Sequence, residues 1–458
     1  MLTQQNKNNP RQQQGNKGGK NTAGLAARKR SLHLLAKVID EGEPLEYLLD
    51  RKVLDELPPN DRSLARAITS TTLRRRFQIE KILSGYMQKP LGRRGGPAMH
   101  LLRLAVAQIL FLDVADHAAV STTMEIAKSD HKAKHFSKLI NGVLRTIGRE
   151  KEDILAALDP IDILPEWLCK TWVKAYGKKT VADMAAALCH EPYLDIATKS
   201  DAEKWAKELD GIALPTGSVR LKLRGAVPNL SGFEDGEWWV QDTAASLAPS
   251  LLGDVNGKTV ADLCAAPGGK TAYLASRGAR VTAVDSSTPR LEKLTENLKR
   301  LNLKAECVTS DVMTWEPEQL FDAILLDAPC SATGIARKHP DIFSLKDAQQ
   351  IPQMASLQRK ILKASIAFLK PGGTLVFCTC SLQPEEGEAV LDFIEAENLP
   401  LKLNPIQANE VGGITQLIQE NGTIRTLPHH LDHTDSVLSG IDGFFMARFQ
   451  HVNNKNSC

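Results

Sequence analysis

Residues 260–271 read VADLCAAPGGKT, and this stretch decides the fold of the C-terminal half of the chain. A short apolar run ends at Leu263, a turn containing Gly268 and Gly269 follows, and a helix-type segment comes next. Glycines at such a turn let the backbone approach a ligand closely, and the following helix directs the positive end of its dipole towards that ligand. The stretch therefore predicts a strand, a ligand-binding turn and a helix.

The same alternation continues towards the C-terminus. Apolar runs bounded by turn residues occur at residues 281–284, 321–326 and 374–377, and helix-type segments separate them. Strands that alternate with helices in this way are typical of a parallel, doubly wound sheet. We therefore predict an α/β domain over residues 238–450.

Three aspartates, Asp285, Asp311 and Asp327, follow successive strand-like runs. Each alone could be a residue that caps a turn, but the carboxyl ends of parallel strands meet at one edge of a sheet. Asp285 stands where an acidic side chain binds ribose hydroxyls, and Asp311 where a carboxylate can accept from an exocyclic amine. The third spaced glycine of a nicotinamide dinucleotide site is missing. We therefore expect S-adenosyl-L-methionine, whose positive sulfonium suits an acidic pocket.

Eight cysteines are scattered through the chain, and two of them lie in short motifs that follow apolar runs. Residues 327–331 read DAPCS, and residues 378–381 read CTCS. A thiolate that adds to C6 of a pyrimidine makes C5 nucleophilic enough to take a methyl group. Cys330 and Cys380 are both candidates, because a Pro-Cys dipeptide supplies the nucleophile in DNA cytosine methyltransferases. The residue chemistry alone does not choose between them.

The rest of the chain has a different character. Residues 1–23 are rich in Gln, Asn, Gly and Lys, which predicts a disordered basic tail. Residues 24–150 show apolar stripes at helical spacing without strand-type alternation, which predicts an all-α domain. Residues 151–237 mix helix and strand patterns, which predicts a small α+β linking domain.

The helical region resembles the transcription antitermination factor NusB. The resemblance rests on Asp61-Arg62, on residues 101–105 and on residues 141–144, which read NGVL. It implies an RNA-binding helical bundle, although basic runs of this kind are as often solvated helix faces. The candidates for phosphate contacts are Arg74, Arg75, Arg76, Lys81, Lys89, Arg93 and Arg94.

The C-terminal region resembles the RNA 5-methylcytosine methyltransferases of the Nol1/Nop2/Sun family. The matching pieces are residues 262–271, 327–334, 339–341 and 379–382. The resemblance implies a Rossmann-like class I S-adenosylmethionine-dependent methyltransferase. Such an enzyme would methylate cytosine C5 in RNA through a covalent cysteine–C6 adduct, and the RNA that we expect is 16S ribosomal RNA.

The resemblance also assigns roles to residues of this chain. Cys380 would be the nucleophile, Asp327 the partner of cytosine N3, and Cys330 the residue that assists product release. Lys270 could lower the pKa of a nearby thiol or could simply belong to the start of a helix. The residues expected to bind the cofactor are Cys264, Ala265, Ala266, Pro267, Gly268, Gly269, Lys270, Asp285, Asp311 and Asp327.

Two alternatives stay open. The same chemistry could act on transfer RNA or large-subunit ribosomal RNA, or the chain could be a non-catalytic RNA-binding factor. We expect an RNA partner, no metal because ligand spacing is missing, no membrane span, and a cytoplasmic monomer with reduced thiols.

Overall fold

The computed structural model describes residues 24–89, 91, 95–222, 227–435 and 438–452. The basic tail predicted at residues 1–23, together with Arg93 and Arg94, lies outside the described residues. The helices of the described part, α1 to α17 in chain order, are Leu25–Glu41, Leu45–Asp50, Pro59–Arg74, Arg76–Tyr86, Gly96–Phe111, Asp116–Ser129, Ser137–Arg149, Lys151–Ala156, Glu166–Tyr176, Lys178–Leu188, Ala202–Glu208, Thr243–Ser250, Gly269–Ser276, Thr288–Arg300, Ile342–Leu345, Gln350–Ile366 and Ala389–Ala396. The strands of the same part, β1 to β12, are Leu194–Thr198, Gly211–Ala213, Val219–Leu221, Trp238–Val240, Thr259–Leu263, Arg280–Asp285, Glu306–Thr309, Phe321–Asp327, Leu369–Thr379, Leu401–Leu403, Ile424–Thr426 and Phe444–His451.

Helices α1 to α7 form the N-terminal bundle. Helix α5 is apolar on most of its surface and lies in the centre, where Leu102, Ala105 and Ile109 are fully buried. Helix α7 instead buries a single face, which includes Ile140, Val143 and Leu144, and leaves a polar face outward. The all-α prediction for this region is confirmed. None of the helices in the described ranges is long and apolar enough to cross a membrane.

The linking region contains a small antiparallel sheet with the strand order β2-β3-β1-β4. Strand β4 pairs with β1, with Ile196 opposite Val240. The boundary predicted after residue 237 therefore falls just before the last strand of this sheet. The local sequence hides this pairing, because residues 238–240 lead directly into α12 of the C-terminal α/β domain.

The large sheet has the strand order β10-β12-β9-β8-β5-β6-β7, and β11 pairs with β12. Strands β5 to β9 are parallel, and helices pack on both faces of the sheet. This arrangement confirms the Rossmann-like prediction. The parallel sheet that we predict is extended by an antiparallel side, which β10, β11 and β12 form.

The N-terminal bundle contacts the C-terminal α/β domain through α2 and the segment that precedes α15. The backbone N–H of Leu45 donates to Asp341 Oδ2 at 2.9 Å, and Glu46 Oε2 lies 3.6 Å from His339 Nδ1. Asp50 also forms a 2.9 Å ion pair with Lys293 of α14. These contacts bring the bundle next to the segment that follows the first cysteine motif.

Most of the basic residues predicted to contact phosphate are engaged within the protein. Arg74 is 5% exposed, because the linking helices pack over the junction of α3 and α4. The contacts lie within hydrogen-bond or ion-pair distance: Arg74 with the Leu188 carbonyl, Arg75 with Gln78 and Cys189, Arg76 with Glu80, and Lys81 with Asp162. The surface predicted at α3–α4 is therefore largely an intramolecular interface.

Candidate active site

The glycine turn between β5 and α13 is shaped by backbone conformation and by one buried carboxylate. Gly268 has φ +100°, and an added Cβ there would lie 2.5 Å from Leu294 Cγ, so only glycine fits. Asp285, 2% exposed at the end of β6, accepts from the backbone N–H of Ala266 at 3.1 Å and of Ser287 at 2.9 Å. Asp285 thereby fixes the turn against the neighbouring strand.

A cavity of about 210 Å³ opens beside this turn at the carboxyl ends of β5, β6 and β7. Cys264, Asp285 and Asp311 all line it, so the structure brings these three predicted residues together. Arg290, which the sequence analysis did not single out, also lines the cavity and lies 3.5 Å from Asp285. Its position in the first turn of α14, shortly after a strand-end aspartate, was the available signal.

A second cavity of about 490 Å³ lies on the other side of the same turn. Residues 265–270 and Asp327 line it, and so do Lys338, Asp242 and Asp442, which the sequence analysis missed. Lys338 donates to Asp242 and lies 3.4 Å from Asp442 Oδ2. These three charged residues come from distant parts of the chain, so no local sequence pattern indicates that they lie together.

The two carboxyls beside Lys338 have opposite pKa shifts. Burial raises the pKa of Asp442 to about 7, and the nearby Asp242 charge adds to the effect. Burial also opposes ionisation of Asp242, but the positive charges of Lys338 and Arg337 prevail and lower its pKa to about 2. The wall of this cavity therefore carries one firm negative charge and one carboxyl that titrates near neutrality.

Asp327, the last residue of β8, forms an ion pair with Lys270. The Lys270 Nζ to Asp327 Oδ2 distance is 2.6 Å, and the Cys378 thiol donates to Asp327 Oδ1 at 3.4 Å. Burial alone would lower the pKa of Lys270, but the Asp327 charge outweighs burial and raises it. Lys270 therefore holds its proton next to the strand-end carboxylate.

The two predicted catalytic thiols lie side by side, with the Sγ atoms of Cys330 and Cys380 3.4 Å apart. Two backbone hydrogen bonds join their segments, from Ala328 N to the Cys378 carbonyl and from Gly334 N to the Cys380 carbonyl, both at 2.9 Å. An added Cβ on Gly334 would lie 1.9 Å from the Gly443 carbonyl oxygen. The contact between the thiols therefore depends on close backbone packing.

Three of the thiols at this sheet edge hold their protons firmly. The hydrogen bond with Cys380, together with burial, raises the pKa of Cys330 well above its usual value. Burial raises the pKa of Cys264 to about 12 and that of Cys378 well above the ordinary range, and nearby carboxylates act in the same direction. Cys264, Cys330 and Cys378 are therefore thiols at neutral pH.

Glu386 accepts hydrogen bonds from the two serines that follow the thiols, and so links their segments. It is 1% exposed in the short 3-10 helix Pro384–Glu386, and its Oε1 accepts from Ser331 N at 2.8 Å. Its Oε2 accepts from both hydroxyls, Ser331 Oγ and, at 2.5 Å, Ser381 Oγ. Burial raises the pKa of Glu386, although these hydrogen bonds oppose the shift. The sequence motif contained this residue but did not indicate what it contacts.

Both halves of the chain match known protein families. Residues 249–450 match the family model described as 16S rRNA methyltransferase RsmB/F, and residues 25–149 match the NusB family model. The chain is 36% identical over 379 residues to ribosomal RNA small subunit methyltransferase B of Escherichia coli strain K12, which covers 78% of this chain and 87% of that protein.

Solved structures share the fold. The crystal structure of PH0851 matches with a TM-score of 0.69 at 22% identity, covering 92% of this chain and 98% of that one. NSun6 from Pyrococcus horikoshii, solved with SFG, matches with a TM-score of 0.53 at 22% identity, covering 63% of this chain and 99% of that one. The resemblances to the NusB and methyltransferase families are confirmed, and the chain belongs to the ribosomal RNA small subunit methyltransferase B family of RNA methyltransferases.

Proposed function

We propose that this chain methylates C5 of a cytosine in 16S ribosomal RNA, with S-adenosyl-L-methionine as the methyl donor and a transient bond between Cys380 and C6. The observation that carries the proposal is the 3.4 Å approach of Cys330 and Cys380 next to the Asp327–Lys270 pair. Family membership supports RNA as the substrate.

The residues at the sheet edge suit the cofactor. Asp285 and Asp311 line one small cavity, where their carboxylates can accept from ribose hydroxyls and from an exocyclic amine. The backbone of residues 265–270 and the start of α13 lie between this cavity and the larger one, where an amino-acid moiety can bind. When bound, S-adenosylmethionine supplies an electrophilic methyl group on a positively charged sulfur.

The chain's own groups account for the steps on the base. The Cys380 thiolate adds to C6, and the electrons of the C5–C6 double bond are delocalised towards N3, which takes a proton from the Asp327–Lys270 pair and returns it when the thiolate leaves. C5 would then take the methyl carbon, and the bond between that carbon and the sulfonium sulfur would break with its electron pair left on a neutral thioether. Loss of the C5 proton to a base restores the double bond and breaks the C6–sulfur bond, which regenerates the Cys380 thiolate.

The contact between the thiols supports assigning attack to Cys380 and release to Cys330. A protonated Cys330 can donate its S–H to the sulfur of Cys380. The same S–H lies beside the sulfur that must leave C6. A protonated neighbour at this position can stabilise the departing thiolate.

Single cysteine variants test these roles. We expect Cys380→Ala to lose methyl transfer while still binding S-adenosylmethionine, and Cys330→Ala to accumulate a protein–RNA adduct that migrates as a shifted band on a denaturing gel. Cys169→Ala, in α9 of the linking region, is the matched control and should turn over normally. An adduct with Cys380→Ala but not with Cys330→Ala would show that the roles are reversed.

The RNA class is tested with unmodified transcripts. We expect labelled methyl groups to enter small-subunit ribosomal RNA, and mapping of 5-methylcytosine should locate them on a cytosine. Faster labelling of transfer RNA or large-subunit RNA would refute the substrate. RNA binding without any methyl incorporation would favour the non-catalytic alternative.

A further inference from the structure

A groove of about 760 Å³ lies between α6 and α7 of the N-terminal bundle, and the reaction proposed above does not use it. Its floor is partly apolar, with Val120 and Met124 from α6 and Leu144 from α7. The groove is comparable in size to a ligand-binding cleft. The charge on its rim shows which kind of partner fits it.

Four cations line the rim. Lys138, Arg145 and Arg149 belong to α7, Lys128 belongs to α6, and all four are exposed. The α7 residues are seven and four positions apart, with Asn141 between the first two, so they follow one stripe along the helix. The opposite side of α7 packs into the bundle, which holds this stripe outward.

The charge of these cations is not neutralised by the protein. Within the described ranges, none of the four forms an ion pair with a carboxylate, and Arg149 donates only to the Thr146 hydroxyl at 3.2 Å. Asp116 is the acidic residue among those described that line the groove, and its Oδ1 lies 3.7 Å from Lys151 Nζ. The basic residues at α3–α4 are, by contrast, occupied by intramolecular contacts.

We propose that the groove between α6 and α7 binds the phosphodiester backbone of the RNA substrate, away from the nucleotide that is methylated. The inference rests on the proposed function, because an RNA methyltransferase must hold a long polyanion while one base enters its catalytic site. Exposed Lys and Arg side chains gain affinity for such a polyanion by releasing its counterions. A stripe of this kind fixes the position of the RNA without reading its sequence.

The test is the salt dependence of RNA binding by the full chain. The variant Lys138→Ala/Arg145→Ala removes one lysine and one arginine from the rim. The matched control Lys258→Ala/Arg280→Ala removes the same two residue types from exposed positions at the start of β5 and β6, at the sheet edge opposite the candidate active site. The probe is an unmodified small-subunit ribosomal RNA transcript, titrated at several salt concentrations.

The slope of log K against log salt is negative, and the loss of two phosphate contacts should reduce its magnitude by about 1.4 for single-stranded RNA, or about 1.8 for a duplex. At about 0.1 M salt this change corresponds to roughly 25- to 60-fold weaker binding. KM for RNA should rise in the same proportion, and kcat at saturating RNA should stay unchanged.

A groove variant with the salt slope and affinity of the control would overturn the proposal, and a protein would then be the better candidate partner. The test is independent of the chemistry at Cys380. If the chain binds RNA with the expected slopes but transfers no methyl group, the groove stands and the proposed function fails. If the groove variant keeps both its methyl transfer and its affinity for RNA, the groove proposal fails and the proposed function stands.

Discussion

Replacing Glu386 with alanine is expected to separate the segments that carry the two thiols. The carboxylate accepts from Ser331 N at 2.8 Å and from the hydroxyls of Ser331 and Ser381, and both serines are fully buried. Ser331 follows Cys330 directly, and Ser381 follows Cys380. One buried side chain therefore holds the backbone on the C-terminal side of both thiols.

The magnitude follows from the groups that are left without partners. The Ser331 hydroxyl can then donate to the Ser381 hydroxyl, 3.1 Å away, and the Ser381 hydroxyl can donate to Thr333 Oγ1 at 3.4 Å, so the Ser331 N–H is the donor that loses its acceptor. An unsatisfied buried donor costs about 1–3 kcal/mol, and the lost methylene adds about 0.8 kcal/mol. We expect Glu386→Ala to lower the free energy of unfolding by about 2–4 kcal/mol. A misplacement of about 1 Å at the thiols should slow methyl transfer about 10²-fold.

Glu386→Gln should lose much less stability and much less activity than Glu386→Ala. Its amide oxygen can still accept from Ser331 N, and the two hydroxyls can turn their oxygens to accept from the amide nitrogen. The assay is single-turnover methyl transfer at saturating RNA, with urea denaturation in parallel. Glu410→Ala is the control, because Glu410 pairs with Arg448 and contacts neither cysteine segment. Equal rates for Glu386→Ala and Glu410→Ala at full folding would refute the positioning role.

Two further substitutions test the packing and the electrostatics of the domain. Gly334→Ala should destabilise the protein by about 3 kcal/mol in urea denaturation, because its Cβ would meet the Gly443 carbonyl. The control Gly142→Ala lies in open space on α7 and should be neutral or slightly stabilising. Equal effects of the two substitutions would contradict the packing argument. Burial raises the pKa of Asp262 to about 7, against the hydrogen bond from Thr271, so the folded chain keeps a proton that the unfolded chain loses above about pH 4. The Asp262 carboxyl should thereby lower stability by up to about 4 kcal/mol as pH rises from about 4 to 7. Asp262→Asn should remove this part of the fall, and the part that comes from the raised pKa of Asp442 should remain when unfolding is measured across that range.

The sequence was most informative where structure is determined locally. The turn at residues 264–270 and Asp285 at the end of β6 were predictable, because a strand, a glycine turn and a helix are specified by adjacent residues. Cys330 and Cys380 could be named as candidates for the same reason. Their 3.4 Å contact could not be measured from the sequence, since it depends on two segments fifty residues apart.

The unpredicted features all depend on long-range packing. Strand β12 lies antiparallel to β9, although its apolar residues would suit either direction. Arg74 looked like a surface cation, but residues near Leu188 cover it. Lys338 gave no signal of its own, because its partners Asp242 and Asp442 lie far away in the chain. In each case the decisive neighbour comes from another element.

The pairing of β8 with β9 explains why the two cysteine motifs can act together. These strands are parallel neighbours, and their register places Asp327 opposite Cys378. The segments after β8 and β9 therefore leave the sheet at the same level of the same edge. Cys330 follows Asp327 by three residues, and Cys380 follows Cys378 by two. A slip of one residue would turn the side chains of a strand to the other face of the sheet. The spacing from each strand end to its thiol is thus a geometric requirement, and an insertion between Asp327 and Cys330 should abolish the thiol contact even if the sheet folds unchanged.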